Sequence, residues 1–356
     1  MLLLWDIDEG SAQIDKYMDR SENDIVAGSF MALGLVNSGV TNETDHVQAI
    51  LIDKLESCQD TKLKIGALMG LSFTYAGSAR EDLLEAISPI ILDEDSTIQL
   101  QAVASLAIGM IYVGTCDADA AQSILQTLME KDEAALDDPF MKLFALGLGL
   151  LFLGQQSAAD ASMELCSLIE NPQTAAFVGL VIETCAYAGS GNVLKIQKML
   201  HLCSEHKTDE KESIHQTAAV LGVALIAFGE EVGTEMCLRM MSHLYQYGEP
   251  VIKRTVPLAL GLLRVSNPEV LTMDWLTKLA YESDAMTAMS AIFALGMIGA
   301  GTNNSKLAQN LRQLAQHYSV RNEQDQLFVV RIAQGLVHMG KVSEKFDLID
   351  LNGVLN

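Results

Sequence analysis

The chain has 356 residues, 49% hydrophobic and 19% charged, enough apolar material for a large core and enough length for two or three ordinary domains. Its 23 Lys and Arg against 46 Asp and Glu leave a net charge of −23, which disfavours phosphate backbones and anionic lipid and favours basic or basic-rimmed protein surfaces. Nucleic acid and membrane are therefore not expected partners.

Residues 1–20 are expected to form a leading helical segment. Its opening cluster, MLLLW, has no basic lead-in and is too short for a signal sequence. Further on, the longest apolar run, Leu143 to Leu153, falls short of the roughly 20 residues a spanning helix needs. The cysteines (Cys58, Cys116, Cys166, Cys185, Cys203, Cys237) form no C-x-x-C pair and lie mostly in apolar helical context, which fits a reducing compartment.

From residue 21 to residue 340 one phrase recurs, an apolar run dotted with Gly and Ala and closed by a turn residue. Ile65 to Gly77, IGALMGLSFTYAG, is a full example. The closing markers are Gly39, Gly77, Gly114, Gly154, Gly189, Gly229, Ser266, Gly301 and Gly340, nine copies at intervals of 35 to 40 residues. That period belongs to helical solenoids, so each copy should be a helix pair. The small-residue helix, 60–76 for example, is apolar nearly all round and should be buried on more than one side. A more polar helix, 81–92, should follow. The closing glycine suits a left-handed C-cap, and at Ser266 the following Asn267-Pro268 can supply the stop. N-cap signals stand at Ser21 with Asp24, at Thr41 or Asn42, and at Ser283-Asp284. Between the fifth and sixth copies, 204–213 (SEHKTDEKES) reads as an exposed insertion loop. The 17 methionines read as gap-fillers between close helices.

The repeat resembles the proteasome/cyclosome repeat, found in the large scaffold subunits of the proteasome regulatory particle and of the anaphase-promoting complex. The phrases that carry the likeness are Leu4-Trp5-Asp6, Gln13-Ile14-Asp15-Lys16, Val36-Asn37-Ser38-Gly39, Ala76-Gly77-Ser78, Cys185-Ala186-Tyr187-Ala188-Gly189-Ser190-Gly191, Ala224-Leu225-Ile226-Ala227 with Gly229-Glu230, Val256-Pro257-Leu258-Ala259, and Gly299-Ala300-Gly301-Thr302-Asn303-Asn304. The resemblance implies an all-α toroid of two concentric helix rings, with 341–356 the tail of an excised fragment. It also implies a non-catalytic scaffold and receptor in the cytoplasm and nucleus. Its implied partners are ubiquitin chains, the ubiquitin-like domains of shuttle factors, a deubiquitinase and the proteasomal ATPase subunits.

In such scaffolds recognition falls to the polar helices. After Gly114 the spacing puts Asp119, Gln126 and Glu130 on one stripe, with Ala121, Leu125 and Leu128 on the opposite face. The resemblance implies that this stripe binds ubiquitin and ubiquitin-like domains, with Gln126 standing where some relatives carry an acid. Glu85 on the preceding outer helix, and Asp160 and Glu164 on the next (157–169), could extend the acidic surface, although spacing alone makes them ordinary solvated positions. A second docking surface, for the deubiquitinase, is implied at 42–54, with Asn42, Ala49 and Asp53 facing outward.

No catalytic, metal or cofactor site is expected. His201, Cys203 and His206 cluster without a second ligand pair at metal spacing. Gly189-Ser190-Gly191 and Gly299-Ala300-Gly301 read as turns, because no strand leads into them. The competing readings are a sister scaffold of the same particle and a general helical-repeat adaptor of transport or phosphatase type.

Overall fold

The structure, a computed structural model, describes residues 7–40, 45–93, 96–131, 133–136, 138–169, 171–205 and 210–339. Among these residues there is no strand, and no helix is long and apolar enough to cross a membrane. The chain forms two compact units, one up to Ala186 and one from Tyr187.

The first unit begins with α1 (Ile7–Met18). Its inner helices are α2 (Asn23–Val36), α4 (Thr61–Thr74), α6 (Ile98–Ile111), α9 (Met141–Leu151) and α11 (Pro172–Ala186), each packed on the next. The outer layer is α3 (His46–Ser57), α5 (Glu81–Leu92), α7 (Ala118–Glu130), the short α8 (Glu133–Leu136) and α10 (Asp160–Cys166), the last entered through a 3-10 turn at Gln156–Ala159. In the second unit the inner row is α13 (Glu210–Ala227), α15 (Pro250–Leu263), α17 (Ala285–Ile298) and α19 (Gln324–Val337). Its outer helices are α12 (Val193–Ser204), α14 (Glu231–Tyr247), α16 (Val270–Leu279) and α18 (Ser305–Arg321).

The division of labour follows from composition. In α6 the residues Ala102, Ala104, Ala107 and Ile108 are fully buried, because α4 and α9 flank it and α5 covers it. Outer α5 instead buries one stripe, Leu83, Ile87 and Ile91, at the i, i+4, i+8 spacing of a half-covered helix. Small residues let inner helices touch through their backbones: a Cβ built on Gly66 would stand 2.6 Å from Ala27 O, and one on Gly147 would stand 2.6 Å from Ser105 O.

The repeat's closing residue does more than end its own helix. Gly77 is left-handed (φ 71°), but its N–H donates to Met110 O of the next inner helix (2.9 Å), and the left-handed Ala79 donates to Ile111 O (3.1 Å). Two otherwise unpaired carbonyls at the end of α6 are thereby satisfied from the preceding copy. The pattern recurs from Gly114 to Leu150 (3.0 Å) with Cys116 to Leu151 (3.1 Å), from Gly189 to Leu225 (2.8 Å) with Gly191 to Ile226 (2.9 Å), and from Gly301 to Leu336 (3.0 Å) with Asn303 to Val337 (3.2 Å). Ser266 itself takes the left-handed position (φ 53°), and its N–H reaches Met297 O (3.1 Å). Pro268, two residues on, has no N–H for the second bond.

Some local expectations change. Ser21 does not cap α2: Glu22 stands at the cap, and Asp24 pairs with Lys62 (2.7 Å). Thr41 and Asn42 lie outside the described residues, whereas Asp284 caps α17 by accepting from the Thr287 N–H (3.3 Å). The expected loop 204–213 is shorter than the charge pattern suggests, since Ser204 ends α12 and α13 already starts at Glu210. The tail 341–356, Gly340 and His206 also lie outside the described residues.

Candidate functional site

Helix α7 is set in place at its first turn, where Asp117 Oδ1 accepts from the Ala120 N–H (2.9 Å). Its inner face, Ala121, Ile124, Leu125 and Leu128, is buried as its pattern predicts. On the other side Asp119, Gln126 and Glu130 are exposed, with Gln126 Nε2 donating to Glu130 Oε1 (2.8 Å). That bond ties the glutamine to the carboxylate one helical turn on.

Beside this stripe runs an open groove of ≈ 720 Å³, lined from α7 by Gln122, Leu125, Gln126, Met129 and Glu130 and from α10 by Ser162 and Leu165. Phe152 at the end of α9 and Cys116 in the turn complete its apolar wall, and burial pushes the Cys116 thiol pKa up, so it stays protonated. The groove is an apolar slot with an amide and a carboxylate along one edge.

The sequence-derived residues divide accordingly. Gln126 and Glu130 line the groove, while Asp119 lies outside it near the positive N-terminal end of α7. Glu85 is exposed on α5, which packs beside α7; Asp160 and Glu164 are exposed on α10 but do not line the groove. The expected helix 157–169 is instead a 3-10 turn at Gln156–Ala159 followed by the seven-residue α10, whose Ser162 and Leu165 line the slot. Met129 and Leu165 were not singled out from sequence, although each is an apolar residue on an otherwise solvated face (36% and 46% exposed). Of the second docking surface, Ala49 and Asp53 are exposed one turn apart on α3, and Asn42 lies outside the described residues.

Together these features define an all-α solenoid of helical hairpins that presents an apolar groove with a polar, acidic edge. The model of the proteasome/cyclosome repeat family matches residues 290–320, from α17 through the Gly301 turn into α18. The chain is 48% identical over 344 residues to the 26S proteasome regulatory subunit rpn1 of Schizosaccharomyces pombe, covering 96% of this chain and 38% of that protein. It is 44% identical over 341 residues to the 26S proteasome non-ATPase regulatory subunit 2 of Dictyostelium discoideum, covering 96% and 37%. Its identity to homolog A of that subunit in Arabidopsis thaliana is 46% over 341 residues, covering 96% and 38%. The chain thus spans little more than a third of the length of these relatives.

Proposed function

We propose that this chain is a non-catalytic scaffold and receptor region of a proteasome regulatory particle, and that the α7–α10 groove receives ubiquitin or the ubiquitin-like domain of a shuttle factor. The observation that carries the reading is the pairing of an apolar slot (Leu125, Met129, Leu165) with Gln126 and Glu130 along its edge. A partner with a small apolar patch ringed by basic side chains would bury its patch in the slot while its cations meet Glu130 and Asp119. Such charge contributes steering and register more than affinity. The names of the relatives supply the particle. On the same reading the exposed face of α3, with Ala49, Asp53 and Asn42, serves a deubiquitinase, the repeats close into a ring beside the ATPase subunits, and the protein works in cytoplasm and nucleus.

The test is a titration of labelled ubiquitin-like domain into the wild type, into Asp119→Lys with Glu130→Lys, and into Met129→Ser with Leu165→Ser. Both double variants are expected to weaken binding about tenfold or more; added salt should weaken the wild type and the serine variant, which keep both carboxylates, and should not weaken the lysine variant. Equal binding by all three would move the site elsewhere. Small-angle scattering tests the ring, and an extended superhelix would overturn that part.

A further inference from the structure

The last described hairpin reverses the charge of the rest of the chain. Residues 305–339 carry Lys306, Arg312, Arg321 and Arg331 against Glu323 and Asp325, whereas the whole chain has twice as many acids as Lys and Arg. Helix α18 contains no acid. Three arginines of other hairpins are taken up by carboxylates: Arg80 by Asp45 and Asp82, Arg254 by Asp284, and Arg264 by Glu235 and Glu269. Arg312 and Arg331 form no ion pair among the described residues, and both line one open groove of ≈ 400 Å³.

The turn between α18 and α19 explains why they meet. Asn322 is left-handed (φ 58°), and its N–H and that of Glu323 donate to Ser319 O (3.3 Å) and Tyr318 O (3.2 Å). The chain therefore reverses within two residues, and the two helices pack on each other. Arg312 stands nine residues before the end of α18 and Arg331 seven after the start of α19. At about 1.5 Å per residue both lie roughly 10–14 Å from the turn, at one level of the pair.

The groove is lined by donors. Arg331 Nη1 donates to Gln334 Oε1 (2.9 Å), which engages the amide oxygen and leaves the amide N–H groups for a ligand. Ser319 adds a hydroxyl, Gln316 a second amide, and each guanidinium further N–H groups. No acid is in the lining: Glu323 and Asp325 stand at the turn, and Asp274 is taken up by Lys306 (3.2 Å) at the far end of α18. Buried Ala315 and exposed Val320 give the groove a small apolar surface.

Two guanidiniums sharing a cavity without a counter-ion repel each other, and an oxyanion between them removes the repulsion and matches their planar forks. A nucleic acid or an anionic lipid surface is disfavoured by the net charge of −23. A short peptide brings one or two carboxylates only, on methylene stems that suit Ala315 and Val320.

We propose that the α18–α19 groove is a carboxylate-recognition site that takes an acidic segment of a partner protein, Asp or Glu beside an apolar residue. The site does not rest on the reading of the α7–α10 groove, and its charge preference is the opposite one.

The probe is a capped peptide with two glutamates between leucines, carrying an uncharged dye, and the same peptide with glutamines in their place. Anisotropy should show the wild type binding the glutamate form about tenfold or more tightly than the glutamine form, with the difference shrinking as salt is added. Arg312→Gln with Arg331→Gln should erase the preference, and Arg312→Lys with Arg331→Lys should restore it only in part, since an ammonium lacks the fork. Both positions are exposed, and an unchanged urea midpoint checks that the fold is kept. Met129→Ser with Leu165→Ser should bind the glutamate peptide as the wild type does. The proposal is overturned if the glutamate peptide does not bind, if both peptides bind equally, or if the glutamine double variant binds as the wild type. A single-stranded oligonucleotide that displaces the peptide would overturn it as well, by making the groove a general anion site. So would tighter binding by Glu344→Gln with Asp347→Gln and Asp350→Gln, which would make the chain's own following segment the occupant, or self-association in sedimentation that the Arg312 and Arg331 variant abolishes, which would make it a second copy.

Discussion

The two units build the same hairpin from different contacts. In the unit ending at Ala186 glycine meets glycine: Gly34 lies on the backbone of Gly70, and Gly109 on that of Gly147. In the unit from Tyr187 glycine meets alanine, a Cβ on Gly261 falling 2.9 Å from Ala294 Cβ and one on Gly296 falling 2.8 Å from Ala333 Cα. The turn bonds to the next inner helix are the same in both, as are the left-handed residues that make them. The outer helices vary at their second residue, from Asp82 on α5 and Asp119 on α7 to Leu194 on α12, Val232 on α14, Leu271 on α16 and Lys306 on α18. The difference teaches that the turn bonds define the repeat, while inner spacing and outer chemistry are free to vary around them.

The strongest way to break that picture is to fill the closest approach. A Cβ at Gly34 would meet carbonyl oxygen and backbone carbon of Gly70, atoms that cannot swing aside. Gly34→Ala should therefore cost about 3 kcal/mol or more, read as the shift of the urea unfolding midpoint. Within the same helix a Cβ on Gly28 would have nothing within 4 Å, as would one on Gly335 in the second unit. Gly28→Ala and Gly335→Ala should each stabilise by about 0.5–1 kcal/mol through helix propensity alone. Equal destabilisation at Gly28 and Gly34 would mean that approach distance does not govern the inner row.

A smaller effect tests a device that both units share. Buried Gln101 donates Nε2 to Ile91 O (3.2 Å) and Asp93 O (2.6 Å), and buried Gln216 donates to Leu202 O (3.4 Å) and Glu205 O (2.6 Å). Each glutamine closes the end of the preceding outer helix from its inner helix. Gln101→Ala and Gln216→Ala should each cost about 1–3 kcal/mol by stranding buried carbonyls, and hydrogen exchange should show the ends of α5 and α12 fraying first. Loss at one site only would show that the units differ here too.

Much of this was legible in the sequence because it is local. The 35–40 residue period gave the hairpins, α5 runs over 81–92 as expected, and the buried and exposed faces of α7 follow their 3.6-residue pattern. What escaped is non-local. Gly77 reads as a cap on its own helix, but its N–H finds a partner 33 residues on, at Met110. The groove needs Phe152 and Cys116 from outside the helix that carries Gln126 and Glu130, and it takes Leu165 rather than Glu164 from α10.

The smallest expected effect compares two arginine–carboxylate clusters. In the first unit Arg80 grips Asp82 (3.2 and 2.9 Å) and Asp45 (2.7 Å); in the second Arg254 grips Asp284 (2.9 and 3.2 Å), which also accepts from the Thr287 hydroxyl (2.7 Å). The arginine partner is the largest cause holding each of the Asp82 and Asp284 carboxyls below the ordinary value of 3.8. A carboxyl depressed in the folded state contributes stability that is fully present above its ordinary value and is lost as pH falls through the folded one. Asp284→Asn keeps the cap geometry and removes the charge, so at neutral pH it should cost only about 0.5 kcal/mol, since the pair is well exposed and screened. Urea midpoints of the wild type and Asp284→Asn should then converge as pH falls below the carboxylate range, and Asp82→Asn should behave alike. A gap at Asp284 that persisted in acid would assign that site to its hydrogen bonds with Thr287 rather than to charge, and the two units would differ in how they hold the first turn after a repeat.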